Sequence, residues 1–471
     1  MPGTFFGFNT ALRGMQAQQR GIYTTSHNIA NANTEGYTRQ RVVLATLPAY
    51  PVPSMNHPGG TGWQIGTGVF SQETRRLREE FLDSQIRRET GSLGQWEQVQ
   101  DVLKQVEIVF NEPSDTGFNT MLSQFWASWQ ELSKYAESSP VRTTVVETAN
   151  ALAEAFRHSA AQLNQIKDDI DQTIELKVKE VNSLAQQVAD LNGQIKNIIA
   201  AGDQPNDLMD QRDLLLDRLS KIIDFTITTS SNGTITITLG GGGNLVEGID
   251  GSTIHELQSS GSAVSWVEAT QPALNISNGE LFGLQKAKSE VDTYLTNLDT
   301  LAGELATAVN NIHTSGDDLS GTGGENFFVA NGGGPITAGN IQVNPNIKTN
   351  VTKIAAASSG GGPGDGSNAL AIAQLQHELI PGLSNTTFDD YYKNFTAKLG
   401  VDAHEAVRMT TNQGVLVDQL TNRKESISGV SLDEEMASML QYQRAYEAAA
   451  RMITTLDSML DKIINGMGVT R

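Results

Sequence analysis

The side chains able to do chemistry are few and scattered. The seven histidines are His27, His57, His158, His255, His313, His377 and His404. A zinc peptidase needs two histidines one helical turn apart with a glutamate after the first, so that both rings face one ion. His377-Glu378 and His404-Glu405 begin that pattern, but Pro381 and Arg408 stand where the second histidine belongs. The histidines therefore read as surface or capping residues. Asp317-Asp318-Leu319-Ser320-Gly321 starts like a calcium loop, yet Leu319 occupies a ligand position and the closing glutamate is missing. Adjacent carboxylates such as Asp168-Asp169 and Glu434-Glu435 read as solvated helix faces. There is no Gly-Lys pair, hence no phosphate-binding P-loop, and neither G-x-G-x-x-G nor G-x-S-x-G occurs among 45 glycines. With no cysteine in the chain, disulfides, thiolate zinc sites, iron–sulfur clusters and a cysteine nucleophile are excluded. The expectation is a protein with no catalytic residue, no metal and no cofactor.

Composition points the same way. The chain has 471 residues and a formal net charge of −20, which argues against nucleic acid as a partner, since phosphate binding draws on surplus Lys and Arg. No stretch reaches the roughly 18 apolar residues of a membrane span, and Met1-Pro2-Gly3-Thr4-Phe5-Phe6-Gly7-Phe8 lacks the basic start of a cleaved secretory signal. Aromatics make up only 6%, which suits long helices and exposed loops better than a dense enzyme core.

The ends of the chain carry the strongest periodicity. Residues 5–31 read as one helix in which Phe8, Met15, Ile22 and Ile29 fall seven apart, with Phe5 and Leu12 beside them. Gly14 and Gly21 each cost this helix about 1 kcal/mol, so it needs a partner. At the other end Leu432, Met439, Tyr446, Ile453, Leu460 and Met467 repeat by seven, and Tyr442, Ala449, Leu456 and Ile463 follow three residues later, with Glu435 as the one break. The expectation is a terminal coiled coil built from both ends and serving as an assembly interface. Seven arginines against two acids in residues 1–78 oppose six acids against four bases in 430–471, a contrast that helps the ends associate.

Between the ends the pattern is mostly helical. Residues 48–68 are rich in Pro and Gly and read as an extended loop, with helices resuming near residue 71. Asn111-Glu112-Pro113-Ser114-Asp115 breaks a helix, and Ser114 or Asp115 caps the next. Residues 141–200 give the longest helical signal, with a further helix at about 205–221. Phe225, Ile227, Ile235, Ile237 and Leu239 alternate with threonines around Asn232-Gly233, a hairpin pattern. Residues 279–313 and 369–426 return to helix, whereas 316–366 hold 13 of the glycines and read as loop with short strands. The predicted fold class is mainly α with a small β domain. Its parts are an N-terminal coiled-coil segment (1–40), paired with a C-terminal coiled-coil helix (428–471) as an inner domain; a helical bundle (41–221 and 278–427) carrying the Gly-rich loop; and an inserted β-rich outer domain (222–277).

Particular runs of residues match known proteins. Asn28-Ile29-Ala30-Asn31-Ala32-Asn33-Thr34-Glu35-Gly36-Tyr37-Thr38-Arg39 resembles the N-terminal signature of flagellar axial proteins, and Ser431-Leu432-Asp433-Glu434-Glu435 through Arg451 resembles their C-terminal one. The interior is more selective. Asn111 to Gly117, Asp207-Leu208-Met209-Asp210-Gln211-Arg212-Asp213-Leu214-Leu215-Leu216-Asp217, Gly279 to Leu284, and Val309-Asn310-Asn311-Ile312-His313 leading to Glu325-Asn326-Phe327-Phe328 resemble the FlgK-type flagellar hook-associated proteins, and argue against a rod or hook component. That resemblance implies a structural role at the hook–filament junction outside the cell. It implies export through the flagellar type III pathway without a cleaved signal, and assembly into a closed ring of about eleven copies. It also implies contacts with the hook protein, with the next junction protein and with an export chaperone on the C-terminal helix, and no nucleic-acid or membrane partner.

Overall fold

The computed structural model describes residues 5–50, 65–110, 117–247 and 253–466. Met467, His57, Ser114 and Asp115 lie outside them. The protein is mainly α, with long terminal helices and a small strand-containing unit.

Helix α1 (Phe6–Ala30) ends at the asparagine-rich stretch, where the Asn31 amide caps back onto the His27 carbonyl. The chain then turns through Gly36, which has φ +79° and whose absent side chain leaves room for Leu214. Strands β1 (Gln40–Thr46) and β2 (Val69–Arg76) follow as an antiparallel pair, from Gln40 opposite Arg76 to Thr46 opposite Val69, with a bulge at Val43/Leu44. This corrects the expectation of helix from residue 71. Residues 71–76 contain good helix formers, but they pair with β1 nearly thirty positions earlier, and a remote partner overrides local propensity. Helix begins only at α2 (Glu80–Phe110).

The body is a bundle. Helix α3 (Phe118–Lys134) buries Phe118, Leu122, Phe125, Trp126, Trp129 and Leu132 at helical spacing. Helix α4 (Ser139–Ala200) runs for 62 residues, about 93 Å at 1.5 Å per residue, and buries a continuous stripe including Ile174, Val181, Val188 and Ile195. Helix α5 (Asn206–Ile222) leads into the β unit. There β3 (Phe225–Thr229), β4 (Ile235–Leu239), β5 (Asn244–Glu247) and β6 (Thr253–Ile254) form an antiparallel sheet in chain order, beside the hairpin of β7 (Leu257–Ser260) and β8 (Ala263–Trp266). Ile235, Ile237 and Leu239 face the core while Thr236 and Thr238 turn away, the period of two expected of a half-buried strand.

Two asparagines on α4 dock this unit by offering an amide in place of a neighbouring strand. Asn182 donates to the Leu257 carbonyl and accepts from its N–H (2.8 and 2.9 Å), and Asn192 does the same with Ile235 (2.9 and 3.2 Å). Helix α6 (Glu280–His313) follows Gly279, whose φ is +92° and where a Cβ would stand 2.5 Å from the Ile222 carbonyl oxygen. Asn310 holds both backbone groups of Phe328 at 2.8 Å.

The Gly-rich region contains β9 (Gly316–Asp317), β10 (Phe328–Ala330), β11 (Ile341–Val343), the short helix α7 (Pro345–Thr349) and β12 (Ala357–Ser358), paired as β9 with β12 and β10 with β11. It wraps around two buried polar groups. Arg142 donates to the carbonyls of Ala136 and Ile354, both at 2.7 Å. His313 is fully buried, contrary to its reading as a surface group: its Nδ1 lies 2.5 Å from the Glu325 carbonyl oxygen and its Nε2 accepts from the Ala355 N–H. Helices α8 (Ser367–Gln374) and α9 (Phe388–Ser428) complete the bundle, with α9 antiparallel to α2: Phe395 meets Phe110 at one end, and Leu420 joins Leu82 and Ile86 at the other. The last helix is α10 (Leu432–Gly466). Among the described residues, no side chain of α1 or α10 belongs to either buried core cluster.

Candidate functional site

Helices α1 and α10 lie antiparallel against one another. A Cβ on Gly7 would stand 3.6 Å from Leu456 Cδ1, and one on Gly21 would stand 2.8 Å from the ring of Tyr442. Asn28 Nδ2 donates to Glu435 Oε2 at 2.9 Å. Equal steps forward along α1, from Gly7 to Gly21 to Asn28, are matched by equal steps back along α10, from Leu456 to Tyr442 to Glu435. Gly14 and Ala449 fall in the same register, but a Cβ on Gly14 would meet nothing within 4 Å. Gly21, which weakens α1 as an isolated helix, thus leaves the space that the Tyr442 ring of α10 fills.

The expected seam residues surround this contact. Phe8, Leu12, Met15, Ile22 and Ile29 on α1 are partly buried, as are Met439, Tyr442, Tyr446, Ala449, Ile453, Leu456 and Leu460 on α10. Phe5, Leu432 and Ile463 are 50% exposed or more. The fully buried positions of α1 are Ala17, Gly21, Thr25 and Asn28, and the one buried residue of α10 is Glu435.

Glu435 corrects two readings: it is 3% exposed, so it is neither a solvated carboxylate nor a flaw in the seam. Its Oε2 accepts from Asn28 and its Oε1 from Arg39 Nε at 2.6 Å. Asn28 is saturated in turn. Its Nδ2 also donates to the Gln40 carbonyl, and its Oδ1 accepts from Tyr37 Oη–H at 2.8 Å and from the Gln40 N–H at 3.0 Å. Arg39 adds an ion pair with Glu434 and sends its backbone N–H to the Ser428 carbonyl. A buried charge is tolerated when it is paired and fully hydrogen-bonded, and a polar pair inside an apolar seam specifies register.

Beneath this node lies a carboxylate ladder on α5. Asp207, Asp210, Asp213 and Asp217 follow at steps of three, three and four, so they share one helix face. Asp207 accepts from Gln40 Nε2 at 2.8 Å and lies 3.2 Å from His27 Nε2. Asp210 accepts from the Thr38 N–H at 2.9 Å and from Arg76 Nη1 at 2.9 Å. Asp213 collects Arg76 at 2.7 Å and Arg78 at 2.5 Å. Asp217 takes Arg87 at 2.6 Å and Lys424 at 3.1 Å, and Arg78 also pairs with Asp83. Burial pushes the Asp210 carboxyl up, and Arg76 only partly offsets it. At Asp213 burial acts in the same direction, but Arg78, Arg76 and Arg87 outweigh it and hold the group below the usual carboxylate range. Burial, with the charges of Asp207, Asp210 and Glu435, drives the Tyr37 hydroxyl up. The neighbouring Arg212 points the other way, donating to Asn192 Oδ1 and the Gly233 carbonyl and so tying α5 to the β unit.

Each carboxylate of the ladder and Glu435 is paired with groups of the same chain. Among the described residues no cluster of His, Asp or Glu could hold a metal ion, and no helix is long and apolar enough to cross a membrane. What the arrangement does chemically is hold α1, the β1–β2 hairpin, α5 and α10 to one another.

Known proteins share this plan. A family model described as the flagellar hook-associated protein FlgK helical domain matches residues 103–328, and models of the flagellar basal body rod proteins match residues 8–38 and 425–466. Flagellar hook-associated protein 1 of Bacillus subtilis is 35% identical over 100% of this chain and 99% of that protein. The chain belongs to the flagellar hook-associated protein 1 family. The Salmonella typhimurium and Escherichia coli members are 27% and 26% identical, each over 97% of this chain and 99% of that protein. A solved structure described as the flagellar hook junction protein FlgK from Burkholderia pseudomallei shares the fold, with a TM-score of 0.63 at 17% identity, covering 73% of this chain and all of that one. As a hook-associated protein 1 the chain is a structural component of the flagellum and not an enzyme.

Sequence periodicity missed Gly7, Gly21, Asn28 and Glu435 as contact residues. Their signal was present: Gly7, Gly14, Gly21 and Asn28 fall seven apart, in phase with Glu435, Tyr442, Ala449 and Leu456. Apolar scoring passes over such a column because it contains no hydrophobic side chain.

Proposed function

We propose that this chain is the adaptor that joins the hook to the filament, exported by the flagellar type III pathway and polymerising through its terminal helices into a ring of about eleven copies. Its partners on this reading are further copies of itself, the hook protein, the next junction protein and a chaperone that covers the C-terminal helix before assembly. The observation that carries the reading is the standing of the α1–α10 pair. It adds nothing to the buried core of the body, yet α10 keeps Leu432, Met436, Leu440, Met452, Met459 and Ile463 at 50% exposure or more. An apolar surface of that length on a soluble helix is a contact surface. The expected interface residues are those of the two heptad rows, Phe5, Phe8, Leu12, Met15, Ile22 and Ile29 on one helix, and on the other Leu432, Met439, Tyr442, Tyr446, Ala449, Ile453, Leu456, Leu460, Ile463 and Met467.

Deleting the gene in its host tests the reading. Unpolymerised flagellin in the medium, with bare hooks on the cells, is the expected result. Normal filaments would overturn it.

A further inference from the structure

The α1–α10 pair could in principle swing on the body, because no apolar core joins them. We propose instead that residues 27–40 and the α5 carboxylates form a rigid bracket, which fixes the axis of the terminal pair relative to the bundle and so presents the pair to neighbouring copies at one angle. The inference rests on the assembly reading above only for its last clause.

The bracket is carried by direction as well as by number of bonds. Segment 27–40 is gripped on two sides. Toward α10, Asn28 and Arg39 hold Glu435, and the Arg39 N–H holds the Ser428 carbonyl at the α9–α10 corner. Toward the body, His27 and Gln40 hold Asp207, and the Thr38 N–H holds Asp210. The hairpin is fastened separately, through Arg76 to Asp210 and Asp213 and through Asn206 Nδ2 to the Thr74 carbonyl at 2.8 Å. Lys424 reaches Asp217 from α9, just before the corner. The attachments therefore come from α1, β1, β2 and α9 onto a single face of α5, and the angle is fixed by all of them together. The pairs of Arg76 and Arg78 with Asp83, Asp210 and Asp213 are buried or nearly so, where screening by water is weak, whereas the His27–Asp207 contact is exposed to solvent. Asp207, Asp210, Asp213 and Gln40 are positioning residues in this scheme: they touch the body and the joint, not a neighbouring copy.

The chain has no cysteine, so two labels can be placed cleanly. Spin labels at Gln187→Cys on α4 and Arg444→Cys on α10, both exposed sites, report the angle as a distance distribution in the full-length chain. The expected result is one narrow distribution. In D210N/D213N it broadens, the melting of the body is retained, and filaments are not restored in a deletion host. Because D210N/D213N leaves arginines short of partners and could unfold α5, the milder Q40A/D207A is measured alongside it, and it broadens the distribution while leaving the fold intact. A broad distribution in the parent chain, or an unchanged one in a folded Q40A/D207A, overturns the bracket. Broadening with normal filaments overturns the need for a fixed angle. Normal filaments in the deletion host itself overturn the assembly reading and leave the bracket to be judged by the distances alone.

Discussion

Tyr442 occupies the space that a side chain at residue 21 would need. The hypothetical Cβ of Gly21 stands 2.8 Å from three carbons of the ring, so the terminal helices close only because that position is bare. Gly21→Ala removes an intrinsic helix penalty of about 1 kcal/mol yet pushes the helices apart. The expected outcome is loss of filament restoration with unchanged melting of the body. Adding Tyr442→Ala to Gly21→Ala recovers part of the function. Recovery without the second change would show that the pair does not close in this register.

Glu435 should behave as a buried partner and not as a surface acid. Glu435→Ala strips Asn28 and Arg39 of an acceptor, and a lost buried charge-assisted bond costs about 1–3 kcal/mol. Hydrogen exchange reads the effect locally: amides at the end of α1 and the start of α10 lose protection, while those of α4 do not. Equal loss along α4 would place the terminal pair inside the cooperative unit of the body.

Removal of both ends tests that separation directly. A chain lacking residues 1–40 and 430–471 keeps every member of both core clusters. It is expected to melt cooperatively and to fail in assembly. Loss of the transition, or restored filaments, would contradict the division of labour between body and ends.

His313 gives the body a defined acid limit. Burial, chiefly, lowers its pKa from 6.5 to about 4. The unfolded chain therefore binds a proton between those values and the folded chain does not. Stability from this residue is complete above about pH 6.5 and is lost as pH falls toward 4, by about 3 kcal/mol in all. The depressed carboxyl of Asp213 acts in the same direction but in a lower window, below the ordinary value of 3.8. Urea midpoints of the parent chain should fall between roughly pH 7 and pH 5, and His313→Gln, though less stable throughout, should show a flatter profile. Equal slopes in the two proteins would mean that the ring titrates normally.

The long helices were legible in the sequence because their signal is local. The stripe through Ile174, Val181, Val188 and Ile195 needs no knowledge of its neighbours, and neither does the alternation of Ile235, Ile237 and Leu239. The β1–β2 hairpin was missed because Gln72, Glu73, Arg75 and Arg76 favour helix until a strand some thirty residues away offers its backbone. Glu435 and His313 were misread for a related reason. A charged or titratable side chain looks solvated in a sequence, and its burial depends on partners such as Asn28 and Ala355 that lie far off along the chain. The candidate interface was half legible: periodicity located the two helices and their apolar rows, while the seat of Tyr442 on Gly21 and the α5 ladder became visible only when the ends were brought together.

The hydrogen bond from Asn28 to Glu435 joins residues 407 positions apart. Closing so long a loop carries a large entropic cost, and contacts of that range form after local ones. Until the last residues arrive, α1 has only the β1–β2 hairpin and Asp207 of α5 for company, and the space beside Gly21 is empty. A chain cut short anywhere before residue 432 can therefore fold a sound bundle but cannot complete its terminal pair. The terminal pair is thus the part of the fold that depends on the chain having been made as far as its last helix.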